Sequence, residues 1–392
     1  MHIVFFSHPD FLPHQSMPRF LNMLEGGMRL RGHTTEIWTA PAFFFNFTKI
    51  RVLKKWLGYL DQYIVFPLKI KRQIRGTDRN TLFVFCDHAL GPWVPLVKKR
   101  FNVMHCHDFL AQQAALGKLK FNKIGFSGKV YQKFIRNGYT QCHNFISVSK
   151  KTKNDLHVFL KKEPLISKVV YNGLNRTFSE EKVSLNQLRM ELSQYFNLRC
   201  KNGYILHIGG NQWYKNRGGI LSIYETWRFD YNNTIPLILI GEKPDIELLK
   251  QYEASSFKED IIFLSGVNDE MVNKFYQAAS VFLFPSLAEG FGWPIAEAMA
   301  SGCLVITTNE APMNEVGSDA AFYIPIMPNN DEELNNWVKK SSVVLQKVID
   351  LSQVETSLFV TKGLANAKRF SQDKALNAIE HIYKEILKQE LI

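Results

Sequence analysis

The sequence predicts an α/β protein made of two doubly wound domains, each with a parallel sheet covered by helices on both faces. Short, almost continuously apolar segments alternate with helix-length segments along the chain, which is typical of parallel sheets buried on both sides. A length of 392 residues is enough for two hydrophobic cores. The apolar segments form two sets of six, which begin near His2, Thr35, Thr81, Asn102, Asn144 and Lys168, and near Tyr204, Pro236, Asp260, Val281, Leu304 and Ala320.

The joint between the two domains is expected in the polar stretch from Gly173 to Lys201. We therefore divide the chain into an N-terminal domain of residues 1–180 and a C-terminal domain of residues 181–370. The last segment, 371–392, has apolar residues at helical spacing and is predicted to be a helix. Those residues are Ala375, Ile379, Ile382 and Ile386.

Composition indicates a globular protein of the cytoplasm. Hydrophobic residues make up 46% and charged residues 21% of the chain, and no apolar run approaches the length of a membrane span. The first residues, MHIVFF, resemble a buried strand more than a signal peptide. The five cysteines are scattered and form no C-x-x-C pair, so the sequence predicts neither a disulfide framework nor a zinc site.

Positive charge is concentrated in the first domain. Residues 1–180 contain 28 Lys and Arg against 10 Asp and Glu, whereas the rest of the chain is slightly acidic. A basic domain indicates an anionic partner, which could be a nucleic acid, a membrane surface or a phosphorylated acceptor. Nucleic acid is disfavoured because no recognisable binding motif is present and the aromatic residues do not interleave with the basic ones.

The basic segment from Lys49 to Arg75 admits two interpretations. Leu53, Trp56, Leu57, Leu60 and Ile64 share one face of a helix whose ends are rich in Lys and Arg. Such a helix could lie in an anionic membrane surface. Alternatively, it packs its apolar face on the sheet and leaves its charged ends in water, and Pro67 then interrupts it.

The segment from Phe284 to Thr308 has the pattern of a ligand-binding corner. Glu289 and Glu297 flank a turn built on Gly290 and Gly292, and Pro294 follows at the start of a predicted helix. Amides at a glycine turn and a helix start favour a phosphate, whereas carboxylates match the hydroxyls of a diol. A nucleotide sugar satisfies both kinds of group. The alternative is that the glutamates only stabilise the first turn of a helix.

A second phosphate contact is predicted in the segment HIGGNQWYKNRGG, which comes after the first strand of the C-terminal domain. Gly209 and Gly210 allow a tight turn, and Lys215 follows six residues after Gly209. A lysine at this place would stabilise the negative charge of a diphosphate leaving group. The alternative is that Lys215 and Arg217 are solvated loop charges.

These two segments resemble the E-x7-E and G-x5-K-N regions of the retaining, nucleotide-sugar-dependent glycosyltransferases of family four (glycosyltransferase group 1). The resemblance implies the GT-B fold, in which two Rossmann-like domains face a cleft and a C-terminal helix crosses back to the first domain. It implies that Glu289 faces the donor sugar, that Lys215 holds the diphosphate and that Glu297 binds the ribose. The other donor-binding positions that it implies are Gly209, Gly210, Asn216, Val267, Gly290, Phe291 and Gly292. Many relatives carry an arginine where this chain has Gly210.

The acceptor side is expected in the first domain. NVMHCHDF places His105, His107 and Asp108 at the carboxyl end of a predicted strand, where open parallel sheets bind ligands. The segment resembles the family's H-x-H-(D/E) pattern, which implies that His107 faces the reacting sugar. His14 lies in a loop where many relatives have a Gly-Gly pair, and we expect it to border the acceptor.

The resemblance implies a hexosyltransferase that moves a sugar from a nucleoside-diphosphate donor to a saccharide or lipid-linked acceptor with retention of configuration, in surface polysaccharide assembly. No D-x-D motif occurs in the chain, so we expect no metal and no cofactor. We expect a cytoplasmic enzyme, with peripheral contact to an anionic membrane as the alternative location. Alternative functions are a nucleotide-sugar epimerase of the same fold and a non-catalytic protein that binds nucleotide sugars or nucleic acid.

Overall fold

The computed structural model describes residues 1–12, 16–119, 124–174 and 184–390, and it confirms the predicted α/β class. The chain forms two compact units. The first comprises Met1–Asn175 together with Gln372–Ile392, and the second comprises Arg176–Ser371. Each unit contains one six-stranded sheet in which every recorded strand pair is parallel.

All of the predicted strands are present among the described residues, and each begins within two residues of its predicted start. In the first unit they are β1 (His2–Phe6), β2 (Thr34–Trp38), β3 (Leu82–Phe85), β4 (Asn102–Cys106), β5 (Asn144–Ser147) and β6 (Ile166–Val169). In the second unit they are β7 (Ile205–Ile208), β8 (Leu237–Ile240), β9 (Ile261–Leu264), β10 (Val281–Phe284), β11 (Val305–Thr308) and β12 (Phe322–Ile324).

The helices connect these strands in the manner of βαβ units. Those of the first unit are α1 (Ser16–Leu30), α2 (Arg51–Leu60), α3 (Phe66–Gly76), α4 (Leu110–Ala115), α5 (Phe126–Tyr139) and α6 (Lys150–Phe159). Those of the second are α7 (Leu185–Tyr195), α8 (Arg217–Tyr231), α9 (Ile246–Ala254), α10 (Asp269–Ala278), α11 (Trp293–Ala300), α12 (Met313–Gly317), α13 (Asp331–Ile349) and α14 (Gln353–Ala367). The final helix is α15 (Gln372–Ile386).

The first unit has a hydrophobic core on each face of its sheet, as expected for a doubly wound fold. In β1, Ile3 and Phe5 belong to one core, whereas Val4 and Phe6 belong to the other. This alternation follows from the two-residue period of a strand. Helix α15 packs in the first of these cores, where Ala375, Ile379, Ile382 and Ile386 are all buried. The helical spacing in the sequence therefore marks a buried face.

Strand order fixes where each sheet can bind a ligand. The first sheet has the order β2-β1-β3-β4-β5-β6, and the second has the order β12-β11-β10-β7-β8-β9. The chain reverses direction across the sheet between β1 and β3 in the first unit and between β7 and β10 in the second. Loops at the carboxyl ends of the strands part at such a switch point and leave a crevice for a ligand. The loops after β7 and β10 contain most of the predicted donor residues.

The expectation that Pro67 interrupts the basic helix is wrong. Pro67 is the second residue of α3 and does not end the helix. A π-helical turn, Asp61–Val65, joins α2 directly to α3, so residues 51–76 form one continuous helix. None of the helices in the described part of the chain has the length and apolar character of a membrane span.

Candidate functional site

The loop after β7 packs closely against Gly241, the residue that follows β8. A β-carbon on Gly241, which has φ of +150°, would lie 2.1 Å from the carbonyl oxygen of Gly209. A β-carbon on Gly209 would lie 2.9 Å from the ring nitrogen Nε2 of His207. Glycine is therefore required after both β7 and β8, because a β-carbon at either position would collide with β7 or with the loop that follows it.

Lys215 and Glu289 form the central contact of the candidate site. Lys215 ends a short 3₁₀ turn after β7, and its Nζ lies 2.8 Å from Oε1 of Glu289, which follows β10. The lysine side chain is 14% exposed and the glutamate side chain 9%, so the pair is largely shielded from water. The structure thus brings together two residues that the sequence places 74 positions apart.

Ser286 fixes this pair and was missed by the sequence analysis. Its buried hydroxyl lies 2.7 Å from Oε1 of Glu289 and 2.7 Å from the carbonyl oxygen of Tyr214. The amide of Leu287 also donates to the carbonyl of Tyr214, at 2.8 Å. The loops after β7 and β10 are therefore tied together beside the ion pair. A serine preceding the first glutamate by three residues gives no distinctive signal in the sequence.

Asn216 lies beside Lys215, but its side chain is used within the protein. It adopts a left-handed conformation with φ of +53° and caps α8, accepting a hydrogen bond from the amide of Gly219 at 3.2 Å. Its Nδ2 donates to the carbonyl of Pro285 at 3.0 Å. Asn216 therefore positions the loop that carries Lys215, and contact between its side chain and a donor stays a prediction.

The glycine turn after β10 leads directly into helix α11. Gly292 precedes the helix with φ of +99°, a conformation that favours glycine, and Pro294 occupies the first turn. The N-terminus of α11 carries the positive end of the helix dipole. Gly290 and Phe291 lie between Glu289 and this helix start. The turn amides thus occur at the position where the sequence predicted a phosphate contact.

Glu297 lies on α11 and is half-buried. The hydroxyl of Tyr276 in α10 donates to its Oε2 at 3.3 Å. Glu289 and Glu297 are held by different partners, because Glu289 is paired with Lys215 and Glu297 contacts a tyrosine. Two carboxylates of the same short segment therefore have separate environments, as two separate ligand contacts would require.

Gly210 is the position at which many relatives carry an arginine, and Arg217 is the arginine that follows it in this sequence. A β-carbon on Gly210 would meet the side-chain amide of Gln212 at 2.7 Å, so Gln212 covers this position. Arg217 is buried and donates from Nη1 to the carbonyl of Glu242 at 2.9 Å and to Oδ1 of Asn211. Burial lowers the pKa of its guanidinium. Arg217 therefore links the loops after β7 and β8.

Val267 lies in the loop between β9 and α10 and is partly exposed. Gly266 before it has φ of +73°, and Asn268 after it caps α10 by accepting a hydrogen bond from the amide of Met271 at 2.9 Å. The loop is therefore well defined. Nothing in its side chains indicates which nucleobase it would contact.

His207 is a further residue that the sequence analysis missed. It is fully buried in β7, its Nδ1 lies 3.0 Å from the carbonyl of Leu283, and its other ring nitrogen points toward Gly209. Burial lowers its pKa to about 3. The ring is therefore neutral at pH 7, and it donates from Nδ1 to the carbonyl oxygen. A neutral histidine supports the loop without adding charge to it.

In the first unit, His105 lies in β4 and His107 follows this strand, and their side chains have different partners. His107 donates from Nε2 to the carbonyl of Cys86 at 2.9 Å, and burial lowers its pKa. His105 lies 2.7 Å from the hydroxyl of Tyr383 in α15 and is fully buried. His105 is therefore structural, whereas His107 lies at the carboxyl end of the sheet. Whether His107 faces a sugar stays a prediction.

A cluster around Asp87 also lies at the switch point of the first sheet. Nε2 of His8, after β1, lies 2.8 Å from Oδ2 of Asp87, and Nδ1 of His88 lies 2.8 Å from Oδ1. Although burial raises the pKa of Asp87, the two histidines hold it well below its usual range. The sequence analysis did not single out these residues, because their relation depends on the pairing of β1 with β3.

His14, the predicted acceptor residue, lies outside the described residues. Within the described ranges, no group of three His, Cys, Asp or Glu side chains is arranged to hold a metal ion.

Comparison with known proteins relates part of the chain to a family. Residues 191–341 match the family model described as glycosyl transferases group 1. An O-antigen chain mannosyltransferase B of Escherichia coli is 34% identical over 184 residues, which cover 46% of this chain and 46% of that protein. The chain thus spans about half the length of such curated relatives.

Solved structures resemble the chain over almost its whole length. The Anabaena protein HepE in complex with UDP and glucose gives a TM-score of 0.70 at 16% identity, covering 98% of this chain and 100% of that one. WaaG, a glycosyltransferase involved in lipopolysaccharide biosynthesis, gives a TM-score of 0.66 at 16% identity, covering 99% and 100%. At such identity the likeness concerns the fold alone.

The chain therefore has the GT-B fold, and its residues 191–341 match the model of the group 1 glycosyltransferases. The resemblance drawn from the two glutamate and lysine segments is confirmed at this level, since both segments lie inside the matched range.

Proposed function

We propose that the chain is a hexosyltransferase that takes its sugar from a nucleoside-diphosphate donor bound in the second unit. The observation that carries the proposal is the shielded pair of Lys215 and Glu289, at 2.8 Å, between two glycine turns at the switch point of the sheet. A cation and turn amides suit a diphosphate, and carboxylates suit sugar hydroxyls. Transfer of mannose is the specific form that we favour, because an E. coli relative is a mannosyltransferase of the O-antigen chain.

Each part of the donor molecule is assigned its own protein groups in this proposal. Lys215 and the amides of Gly290 to Gly292 bind the diphosphate, Glu289 binds a hydroxyl of the sugar and Glu297 binds the ribose. A carboxylate and a phosphate would repel each other. The positive charge of Lys215 offsets the charge of Glu289, so both groups can lie close together.

We infer a front-side substitution with retention of configuration. The bond between the anomeric carbon and the diphosphate oxygen breaks, and its electron pair leaves with the diphosphate. The acceptor hydroxyl attacks the anomeric carbon from the same face and passes its proton to the departing phosphate oxygen. Lys215 and the turn amides stabilise the growing charge on the leaving group. His107 is assigned to a sugar hydroxyl near the anomeric carbon.

The same proposal includes catalysis without a metal ion. A bound metal commonly offsets the charge of a transferred or departing phosphate. Here Lys215 and the helix dipole of α11 would supply that charge. These 392 residues contain no D-x-D motif, which supports this assignment.

We assign the acceptor, a saccharide or lipid-linked saccharide, to the first unit, and we place the enzyme in the cytoplasm in surface polysaccharide assembly. His8 and Asp87, at the switch point of the first sheet, offer polar groups for such an acceptor. A lipid-linked acceptor would bring the enzyme to the cytoplasmic face of the membrane.

The direct test is turnover with a panel of nucleoside-diphosphate hexoses and saccharide acceptors in the presence of EDTA. We expect release of free nucleoside diphosphate that depends on both substrates, and a product whose anomeric configuration by NMR equals that of the donor. Epimerised donor without transfer would identify the alternative enzyme of this fold. Inversion of configuration would refute the mechanism, and no reaction with any donor would refute the proposal.

A further inference from the structure

The continuous helix from Arg51 to Gly76 presents two apolar stripes, and only one of them is buried. The buried stripe consists of Gly58, Gln62, Phe66 and Ile70. The exposed stripe consists of Leu53, Trp56, Leu60, Ile64 and Leu68, which are between 38% and 65% exposed. Of the two interpretations given to the apolar residues of this helix, the one in which they pack on the sheet is therefore wrong. The opposite stripe makes that contact, and the exposed one needs another explanation.

The π-helical turn keeps the exposed stripe on one side of the helix. In an α-helix of 3.6 residues per turn, residues spaced by four drift steadily around the axis. The wider turn at Asp61–Val65 takes more residues per revolution and offsets that drift. The carboxylate of Asp61, which is fully buried, accepts hydrogen bonds from the amides of Phe44 and Phe45 at 2.9 and 2.8 Å. The turn is thus anchored to the loop before the helix.

Neighbouring segments extend this exposed apolar surface. Phe43 and Phe47, in the loop before the helix, are 57% and 68% exposed. Helix α5 lies alongside, because the hydroxyls of Tyr63 and Tyr131 are 2.7 Å apart and the rings of Tyr63 and Phe134 are 5.3 Å apart. Residues 43–76 and 126–139 together are called the basic apolar face below.

The charge of this face is almost entirely positive. Its two segments contain eleven Lys and Arg and a single acidic residue, the buried Asp61. Lys71, Arg72 and Arg75 are exposed at the carboxyl end of the long helix, and Lys129 and Lys133 are exposed on α5. Apolar side chains flanked by exposed Lys and Arg match the boundary between lipid headgroups and acyl chains.

We propose that the basic apolar face docks on the surface of an anionic phospholipid membrane. Exposed apolar side chains enter the interface, and the basic residues contact lipid phosphates. A second copy of the chain is a poorer occupant, because two such faces brought together would repel each other. The proposal extends the assignment of a lipid-linked acceptor, yet vesicle binding requires neither donor nor turnover, so the two can fail separately.

The test is co-sedimentation of the full chain with vesicles of equal phosphatidylglycerol and phosphatidylcholine, and with vesicles of phosphatidylcholine alone. We expect binding to the anionic vesicles, weak binding to the neutral ones, and release at about 0.5 M salt, where surface charges are screened. Trp56→Glu should lower the affinity for anionic vesicles about tenfold, because it puts a charge into the apolar stripe. Lys71→Glu should also lower it.

Matched controls lie in the second unit. Phe229 is 82% exposed, and Phe229→Glu should bind vesicles like the wild type, as should Lys340→Glu. Circular dichroism must show that all four variants are folded. Equal binding to neutral and anionic vesicles, no binding to either, or wild-type binding by Trp56→Glu would overturn the proposal. A wild-type dimer that Trp56→Glu converts to a monomer, without vesicle binding, would assign the face to a second copy instead.

Discussion

Nζ of Lys215 lies 2.8 Å from Oε1 of Glu289, although the two residues follow different strands of the second sheet. The contact joins the two loops that flank the switch point, where a parallel sheet binds its ligand. The hydroxyl of Ser286 contacts the same Oε1 at 2.7 Å. In the proposed reaction, the lysine binds the diphosphate and the glutamate binds the sugar. The pair would therefore lie beside the bond between sugar and diphosphate, which breaks in the reaction.

Replacement of Lys215 tests the diphosphate contact. Lys215→Ala should lower turnover by about 10²-fold, because it removes one group that stabilises the leaving charge. Lys215→Arg should keep part of the activity, since the positive charge remains. Lys250→Ala, at an exposed position of the same unit, is the control and should have wild-type rates. Steady-state kinetics with the identified donor are the measurement, and unchanged turnover in Lys215→Ala would remove Lys215 from the site.

Glu297 is expected to determine nucleotide affinity more than the rate of transfer. Glu297→Ala should raise the Kd of the nucleoside diphosphate by about 10- to 100-fold, which is typical of losing hydrogen bonds to a charged group. Isothermal titration calorimetry measures the effect directly. Glu247→Ala, at an exposed position of α9, should leave the Kd unchanged. If Glu297→Ala binds the nucleotide like the wild type, the ribose assignment is incorrect.

Ser286 is predicted to act through Glu289. Ser286→Ala should lower the free energy of unfolding by about 1 kcal/mol and also reduce turnover, because the glutamate loses the hydroxyl that orients it. Ser341→Ala is a matched control, since that buried hydroxyl donates to the carbonyl of Trp337 at 2.8 Å in α13. The control should lose similar stability with full turnover. Equal kinetics in both variants would limit Ser286 to a structural role.

Two buried histidines should make the protein less stable in mild acid. Burial lowers the pKa values of His105 and His207 to about 3, so between their ordinary pKa of about 6.5 and pH 3 only the unfolded chain binds these protons. Their contribution is present above pH 6.5 and is lost as the pH falls, at up to about 1.4 kcal/mol per pH unit for each. Urea unfolding at several pH values measures this dependence.

His105→Gln should show a shallower fall of the unfolding free energy between pH 6.5 and 4.5 than the wild type. His381 is exposed on α15, and His381→Gln should keep the wild-type slope. An unchanged slope in His105→Gln would show that His105 is protonated in the folded protein.

The strands were predictable because near-continuous apolar runs, such as the one in β10, indicate buried parallel strands. Two glutamates around a glycine turn also leave a local pattern, and their role in donor binding stays a prediction. The relation of Ser286 to Glu289 was not predictable, because a serine three residues from a glutamate is common. The cluster of His8 and Asp87 was not predictable either, since it depends on which strands are neighbours in the sheet.

The basic helix shows how periodicity can mislead. Its apolar residues at three- and four-residue spacing are compatible with a buried face, yet the structure buries the stripe that contains Gly58 and Gln62. The polar Gln62 is compatible with burial because its Nε2 donates to the carbonyl of Gly58 at 3.0 Å, and its backbone carbonyl accepts the indole N–H of Trp93 at 2.8 Å. Such contacts satisfy polar groups in ways that a hydrophobic pattern does not reveal.

The most direct test of the central claim, that the second unit binds a nucleoside-diphosphate sugar, is thermal stabilisation of the purified protein by UDP, GDP, ADP and CMP, each with and without EDTA. A ligand that binds only the folded state raises Tm by mass action. We predict a clear rise with one nucleoside diphosphate that EDTA does not reduce. No rise with any of the four nucleotides would contradict the account, and a rise that EDTA abolishes would contradict its metal-independent form.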